Sequence, residues 1–331
     1  MTNVKTDIQK ILSLAGEDEF NRTSLEIFNL QASENKIYRE FLSRLGKTPE
    51  AVSRPEDIPF LPVEFFRNHN VITGHGNPDL VFESSGTTGM LKSRHYVTDL
   101  SLYNESLTRG FRLFYGDPSD YLIVALMPSP AERPTGSLSY MVHHLINSGA
   151  DRRSGFFNRN YDHVAGILNG ALRDKKKCML IGLSYALLDF AEANYSVPEN
   201  VIVVETGGMK GRREEITREE LHSRLMKSLG VKTIHSEYGM TELLSQAWSE
   251  GKGLFRTPPW MRIYVRELND PFSISSEPGS SGAINIIDLA NINSCSFIAT
   301  WDLGRLHDKG RFEVLGRYDH SDIRGCNLLA G

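Results

Sequence analysis

Cysteine is scarce in this chain, long hydrophobic runs are missing, and neither sign of charge dominates. Its 331 residues include only three cysteines, Cys178, Cys295 and Cys326. They are too few and too widely spaced for a disulfide framework or a cysteine-rich zinc site. The longest apolar runs, such as 121–127, are far shorter than the ~20 residues that span a bilayer. The polar start of the chain also has no apolar signal region, so we predict a cytoplasmic, reduced protein without a membrane span.

The charge balance excludes one further class of partner. The chain has 37 Lys and Arg residues against 41 Asp and Glu residues, which gives a net charge of −4. A protein this close to neutral has no overall attraction for nucleic acid or for an anionic membrane. We therefore expect no nucleic-acid partner. The length is sufficient for a large buried core, in one α/β domain or in two.

Short apolar runs alternate with amphipathic helix patterns through the middle of the chain. The runs that we predict to be buried strands are 121–126, 178–181, 201–204 and 231–234. Thr217, with Glu220 three residues later, forms a capping box that predicts a helix running to Leu229. Such alternation is typical of a mostly parallel sheet with helices on its faces.

The two ends of the chain differ from its middle. The first part favours helix and then a proline-rich connector, whereas the last third has closely spaced strand patterns without a helix of useful length. These strand patterns lie at 283–288, 297–301 and 311–315, and they predict a small antiparallel sheet. We therefore divide the chain into a helical N-terminal region, 1–75, an α/β core with a β-rich C-terminal part, 76–315, and a tail, 316–331.

The densest motif is a run of hydroxyl and glycine residues that follows the apolar segment 80–82. Its backbone N–H groups and hydroxyl groups, together with the charge of Lys92, suit a phosphate. It does not fit the Walker-type loop, because Leu91 stands where that loop needs its second glycine. A flexible surface turn is the alternative interpretation. The run consists of Ser84, Ser85, Gly86, Thr87, Thr88 and Gly89.

Four segments, in the same order along the chain, resemble the adenylate-forming superfamily of acyl-CoA ligases and peptide-synthetase adenylation modules. The run 84–89 followed by Lys92 resembles the phosphate loop of that superfamily. The segment 237–242, Glu-Tyr-Gly-Met-Thr-Glu, is similar to its aromatic-Gly-x-Thr-Glu motif, 301–305 to its ribose-binding segment, and 316–325 to its hinge. The resemblance implies an α/β fold, the large N-terminal-type domain of these enzymes, with mostly parallel sheets, flanking helices and a smaller β-rich part.

The resemblance also implies ATP and Mg²⁺ as cofactors and a role for each matching residue. Lys92 contacts the phosphates, Thr241 contacts the α-phosphate, Glu242 holds Mg²⁺, and Asp302 and Arg317 bind the ribose. The other positions implied for ATP binding, beside the phosphate loop, are Gly207, Gly208, Glu237, Tyr238, Gly239 and Met240. Taken from the residues alone, Tyr238 also fits a core aromatic, Asp302 a turn cap, and the glycine pair a tight turn.

A narrower resemblance concerns the end of the chain, where only six residues follow Gly325. We expect no mobile C-terminal lid domain there, and the acyl-protein synthetases of bacterial luminescence operons, the LuxE-like family, also lack it. The ending 323–329 and the segments 82–89 and 127–133 are similar to that family. Its members activate a fatty acid with ATP and transfer the acyl group to a cysteine near their own C-terminus, for a partner reductase. The resemblance thus implies Cys326 as the acyl acceptor, a fatty acid substrate, and an acyl reductase or carrier as partner.

Alternatives stay open for the cysteine and for the function. Cys326 also fits a small buried residue in a last strand, while Cys178 and Cys295 lie in apolar patterns and are predicted core residues. The chain also fits an acyl- or aryl-CoA ligase relative that releases a soluble thioester, with a lid supplied by another chain. A non-catalytic nucleotide-binding subunit is the third interpretation.

Overall fold

The computed structural model describes residues 8–85, 91–149, 151–209 and 211–318. The helices are α1 Ile8–Leu12, α2 Glu17–Glu34, α3 Lys36–Arg44, α4 Phe65–Asn68, α5 Leu100–Tyr115, α6 Ser137–Asn147, α7 Tyr161–Arg173, α8 Ser184–Glu192 and α9 Arg218–Leu229. The strands are β1 Leu61–Pro62, β2 Leu80–Glu83, β3 Arg94–Val97, β4 Tyr121–Leu126, β5 Gly155–Phe156, β6 Lys177–Leu183, β7 Val201–Thr206, β8 His235–Tyr238, β9 Ala247–Ser249, β10 Met261–Arg266, β11 Ile274–Ser275, β12 Ser281–Asp288, β13 Phe297–His307 and β14 Arg311–Arg317.

A mostly parallel sheet forms the centre of the fold, as the alternation of strands and helices predicts. Its strand order is β5-β4-β6-β7-β8-β9, and only the β8–β9 pair is antiparallel. Helices α6 to α9 connect successive strands. Every residue of β4 is buried, which explains why this strand reads as one continuous apolar run. In the described part of the chain, no helix is long and apolar enough to cross a membrane.

One predicted strand is wrong. The apolar run 231–234 is irregular, and the strand begins at His235. Helix α9 begins at the predicted cap, where the Thr217 hydroxyl accepts the N–H of Glu220 at 3.2 Å. It ends at Gly230, which has a φ of 74°. Residues 231–234 connect this left-handed C-cap to the sheet, so the strand is formed by the more polar segment that follows them.

A second sheet, formed mainly by the C-terminal part, is antiparallel as expected, except for one parallel pair. Its order is β1-β13-β12-β10-β11, with β14 on β13. The sequence pattern missed β1, which pairs in parallel with β13 through Leu61 and Ile298. A two-residue strand has no periodicity to read. The N-terminal region therefore contributes directly to this sheet, while the division at residue 75 stays a prediction.

Three structural units meet where the proposed site residues lie. The carboxyl ends of β7 and β8 open at one edge of the parallel sheet, and ligands of open α/β sheets bind at such edges. The hairpin β2–β3 brings the ends of the phosphate loop there, and β13 and β14 bring the ribose-binding and hinge segments.

Candidate active site

The ends of the proposed phosphate loop are fixed by the β2–β3 hairpin. The Ser84 N–H donates to the Ser93 carbonyl at 3.0 Å, and the Ser93 N–H donates to the Ser84 hydroxyl at 3.0 Å. Lys92 lies beside this pair, half-exposed, with its Nζ 3.3 Å from Glu83 Oε2. Gly86, Thr87, Thr88 and Gly89 lie outside the described residues. The hairpin thus closes the base of the loop, and Lys92 lies next to that base, paired with Glu83.

The glycine pair after β7 forms a turn at the sheet edge. Gly207 and Gly208 have φ values of 69° and 66°, which glycine adopts without strain. Thr206, just before them, donates its hydroxyl hydrogen to Glu237 Oε2. The positive φ values are compatible with a tight turn, and Gly207 also lines a cavity, described below. Contact with adenine stays a prediction for both residues.

Gly239 leaves space for the Glu237 carboxylate, which lies close to its Cα. A Cβ atom at position 239 would lie 2.5 Å from Glu237 Oε1. Since the other carboxylate oxygen accepts the hydrogen bond from Thr206, the Glu237 side chain is held over the glycine. The sequence pattern aromatic-Gly has a local steric reason here.

Tyr238 connects the two sheets through Asp302. Its hydroxyl donates to Asp302 Oδ2 at 2.8 Å, and its ring packs edge-on against Phe255 and Phe312. Burial raises the pKa of Asp302, while the Tyr238 hydrogen bond and the charge of Arg317 act in the opposite direction. Tyr238 is thus largely a core aromatic, and its stacking on adenine stays a prediction.

Two adjoining cavities occupy the meeting point of these units. Among the described residues, both are lined by Ser85, Met240 and Thr241. The first cavity, of about 150 Å³, extends to Gly207 and Glu237 at the sheet edge and to the start of α6. The second cavity, of about 380 Å³, is lined by Val63, Arg67, Ser84, Ser85, Leu91, Ser93, Met240, Thr241, Glu242, Thr300, Trp301, Asp302 and Arg317.

Glu242 is a buried carboxylate on the wall of the second cavity. Burial raises its pKa, and a hydrogen bond from Ser93 and the positive charges of Arg317 and Arg67 counteract that effect. The charge of Glu242 is therefore partly compensated by its surroundings. Ser84, Thr241, Asp302 and Arg317, for which the sequence predicts phosphate and ribose contacts, line the same cavity, whereas Lys92 lines neither cavity.

Comparison with known proteins identifies the fold. No protein-family model and no curated protein sequence matches the chain. The structure of an open conformation of 2-hydroxyisobutyryl-CoA ligase, in complex with 2-HIB-AMP and CoA, is similar to it, with a TM-score of 0.64 at 12% identity, over 94% of this chain and 77% of that one. The chain has an adenylate-forming ligase fold.

Two further structures with this adenylate-forming fold are similar over a smaller part of the chain. A long-chain-fatty-acid-CoA ligase from Archaeoglobus fulgidus has a TM-score of 0.52 at 17% identity, over 76% of this chain and 53% of its own. The luciferase-like enzyme from the nonluminescent Zophobas morio mealworm has a TM-score of 0.52 at 14% identity, over 75% and 59%. The predicted fold class, the α/β large domain of adenylate-forming enzymes, is confirmed.

A magnesium ion bound with ATP fits the residues of this adenylate-forming fold. Among the described residues, no three His, Cys, Asp or Glu side chains cluster to form a metal site of their own. Mg²⁺ in nucleotide sites commonly uses one or two carboxylates, with phosphate and water oxygens completing its shell. Glu242, on the cavity wall, would supply one carboxylate.

The two cysteines within the described residues are poor nucleophiles. Cys178 lies in β6 and Cys295 just before β13, and both are buried. Burial raises the pKa of each thiol to about 12, so neither forms a thiolate at neutral pH. Their prediction as core residues is confirmed. Cys326 lies outside the described residues.

Sequence reasoning missed several residues of the site. His95 of β3 donates its Nδ1–H to the Thr241 carbonyl at 2.9 Å, and Asn291 Nδ2 donates to the Glu242 carbonyl at 2.8 Å. Arg67 lines the second cavity from α4. The alternation along 93–97, where Ser93, His95 and Val97 are buried, was a usable signal for His95. Arg67 and Asn291 have no such local pattern.

Proposed function

We propose that this protein uses Mg·ATP to convert a carboxylic acid to an acyl-adenylate and then transfers the acyl group to a protein thiol, its own Cys326. The observation that carries the proposal is the second cavity, which Ser84, Thr241, Glu242, Asp302 and Arg317 line together. The residues for phosphate, metal and ribose come from four separate parts of the sequence. They meet at the edge where an α/β sheet binds ligands.

The first step joins two anions, so charge compensation and alignment are the main tasks. A carboxylate oxygen attacks the α-phosphorus, the bond to the bridging oxygen breaks, and pyrophosphate leaves with the electron pair. Lys92, the amides of the phosphate loop and Thr241 donate hydrogen bonds to the phosphates. Mg²⁺ supplies charge neutralisation when it is bound. Asp302 and Arg317 hold the ribose, and the segment 237–240 lies beside the adenine.

The second step moves the acyl group from AMP to sulfur. The thiolate of Cys326 attacks the acyl carbonyl, the bond to the phosphate oxygen breaks, and AMP leaves as an anion. The thioester then passes to an acyl reductase or carrier. A fatty acid is the proposed substrate, which the LuxE-like resemblance supports. The length of the acyl chain is the first variable to test.

The thiol assignment is tested by incubating the protein with Mg·ATP and labelled acids of increasing chain length, and mapping the label by mass spectrometry. We expect label on Cys326 and none in Cys326→Ser. Asn327→Ala is the matched control, since it changes the next residue and keeps the thiol. Label that persists in Cys326→Ser contradicts the assignment.

The phosphate role of Lys92 is tested separately by acid-dependent exchange of pyrophosphate into ATP. Loss of one charged hydrogen bond predicts an exchange rate about 10- to 100-fold lower in Lys92→Ala. Lys47→Ala, at an exposed lysine outside the two cavities, is the control. Exchange at the wild-type rate in Lys92→Ala removes the lysine from the mechanism.

The CoA ligase interpretation remains a second candidate, because the 2-hydroxyisobutyryl-CoA ligase structure with a similar fold contains CoA. It predicts a soluble thioester when CoA is added and no label on the protein. A non-catalytic subunit would bind ATP without supporting exchange with any acid. The same two assays therefore separate all three interpretations.

A further inference from the structure

Arg67 is a charged residue of the second cavity that has no role in the proposed reaction so far. It belongs to the short helix α4, in the N-terminal region, and it is partly buried. It lines the second cavity together with both ends of the phosphate loop, Ser84 and Ser93, and with Glu242. One arginine that lines the cavity therefore comes from a segment outside the four segments that resemble adenylate-forming enzymes.

Helix α4 is held firmly in this position. Phe66 is fully buried and packs edge-on against the His95 ring, with 5.7 Å between ring centroids. The Arg67 N–H donates to the Glu64 carbonyl at 2.9 Å. His95 in turn donates a hydrogen bond to the Thr241 carbonyl. Helix α4 is therefore packed against the strand that supports the turn at Thr241.

Within the described residues, the Arg67 side chain has no hydrogen bond or ion pair. The nearest acidic residue in sequence, Glu64, instead accepts a hydrogen bond from the Trp301 indole. Glu242 is close enough for the charge of Arg67 to lower its pKa, yet it makes its hydrogen bond with Ser93. An arginine that lines a cavity and has no partner among the described residues is suited to an anionic ligand.

The other residues of the cavity indicate which part of ATP that anion is. Gly207 and Glu237, at the proposed adenine edge, line only the first cavity, whereas Arg67 lines only the second. The ribose is neutral and is assigned to Asp302. Thr241 lines both cavities and is assigned to the α-phosphate. The remaining anionic groups of ATP are the β- and γ-phosphates, which the ends of the phosphate loop would also contact.

We propose that Arg67 is a pyrophosphate-binding residue, which binds the β- and γ-phosphates of ATP and stabilises the pyrophosphate that leaves. Its planar group donates paired hydrogen bonds to phosphate oxygens as the bond between the α-phosphorus and the bridging oxygen breaks. The electron pair of that bond stays with the departing pyrophosphate, and no proton moves. This inference rests on the proposed function for its place in the reaction, but its binding test does not.

Direct binding tests the assignment without catalysis. Titration calorimetry with Mg·pyrophosphate and, separately, with AMP would compare wild type, Arg67→Ala, Arg67→Lys and Arg44→Ala. We expect Arg67→Ala to bind Mg·pyrophosphate about 10- to 100-fold more weakly, the usual effect of losing hydrogen bonds to a charged group. AMP binding should be unchanged. Arg67→Lys keeps a point charge but not the paired donors, and should recover only part of the loss.

Arg44→Ala is the matched control, since that arginine lies on α3 in a surface pair with Glu40. It should bind both ligands as the wild type does. Thermal unfolding without ligand shows whether each variant is folded. Wild-type pyrophosphate affinity in folded Arg67→Ala, equal weakening of AMP binding, or no binding of Mg·pyrophosphate to the wild type overturns the inference. Arg67-dependent binding without acid-dependent exchange leaves it standing and rejects the proposed function.

Discussion

His95 shows how a single buried side chain can support a site that it does not enter. The Thr241 carbonyl can only accept, so His95 Nδ1 carries the hydrogen of their 2.9 Å bond. Within the described residues, Nε2 is buried without a hydrogen-bond partner. Protonation there would place a charge in a buried space without an acceptor. Burial accordingly lowers the pKa of His95 to about 4.

The depressed pKa of His95 predicts a loss of stability at mildly acidic pH. An unfolded histidine titrates near ~6.5, so below that pH the unfolded state binds more protons than the folded state. The contribution of His95 to the free energy of unfolding is therefore fully present above pH ~6.5. It is lost as the pH falls from there toward about 4, and the loss is about 3 kcal/mol at most. Urea unfolding at a series of pH values measures it.

The variant His95→Gln removes this titration, so its free energy of unfolding should fall less steeply than that of the wild type over the same pH range. His75→Gln is the control, because His75 is exposed. It should keep the wild-type pH dependence. Parallel pH profiles for wild type and His95→Gln would contradict the explanation.

At the scale of elements, the sequence predicted those whose signals are local. The capping box at Thr217 and the wholly apolar β4 lie where the pattern placed them, because a cap and a buried strand depend on adjacent residues. The strand predicted at 231–234 is wrong. The left-handed Gly230 ends helix α9, and the chain stays irregular until the strand begins at His235. The motifs include Ser84, Thr241, Glu242, Asp302 and Arg317, which line the second cavity, and the roles of these residues stay predictions.

Other elements could not be predicted, because distant contacts determine them. Strand β1 exists only through its pairing with Ile298 and Ala299 of β13. The turn after Thr241 is anchored by Asp288, whose carboxylate accepts the N–H groups of Leu244 and Ser245. Arg67 similarly belongs to the site only because α4 packs on β3. Such contacts leave no periodicity in one segment of sequence.

At the scale of the whole molecule, the N-terminal helices are joined to the C-terminal part by buried amide groups. Gln31 of α2 donates to the carbonyls of Asn291 and Ile292 at 3.1 and 2.9 Å, and its Oε1 accepts the Ser296 N–H at 2.9 Å. Asn291 in turn donates to the Glu242 carbonyl. One chain of hydrogen bonds thus connects α2 with the wall of the second cavity.

This connection predicts that Gln31→Leu destabilises the protein strongly although leucine has a similar size and fits a buried position. The Asn291 carbonyl still accepts the Ser294 N–H, but the substitution leaves the Ile292 carbonyl and the Ser296 N–H buried without Gln31, and each such loss costs about 1–3 kcal/mol. We expect the free energy of unfolding in urea to fall by about 2–4 kcal/mol, with the slope against urea unchanged. Glu26→Gln, on the exposed face of the same helix, removes only a surface pair with Lys10 and should cost less than about 1 kcal/mol. Equal stability of Gln31→Leu and wild type would show that α2 does not depend on these hydrogen bonds for its attachment.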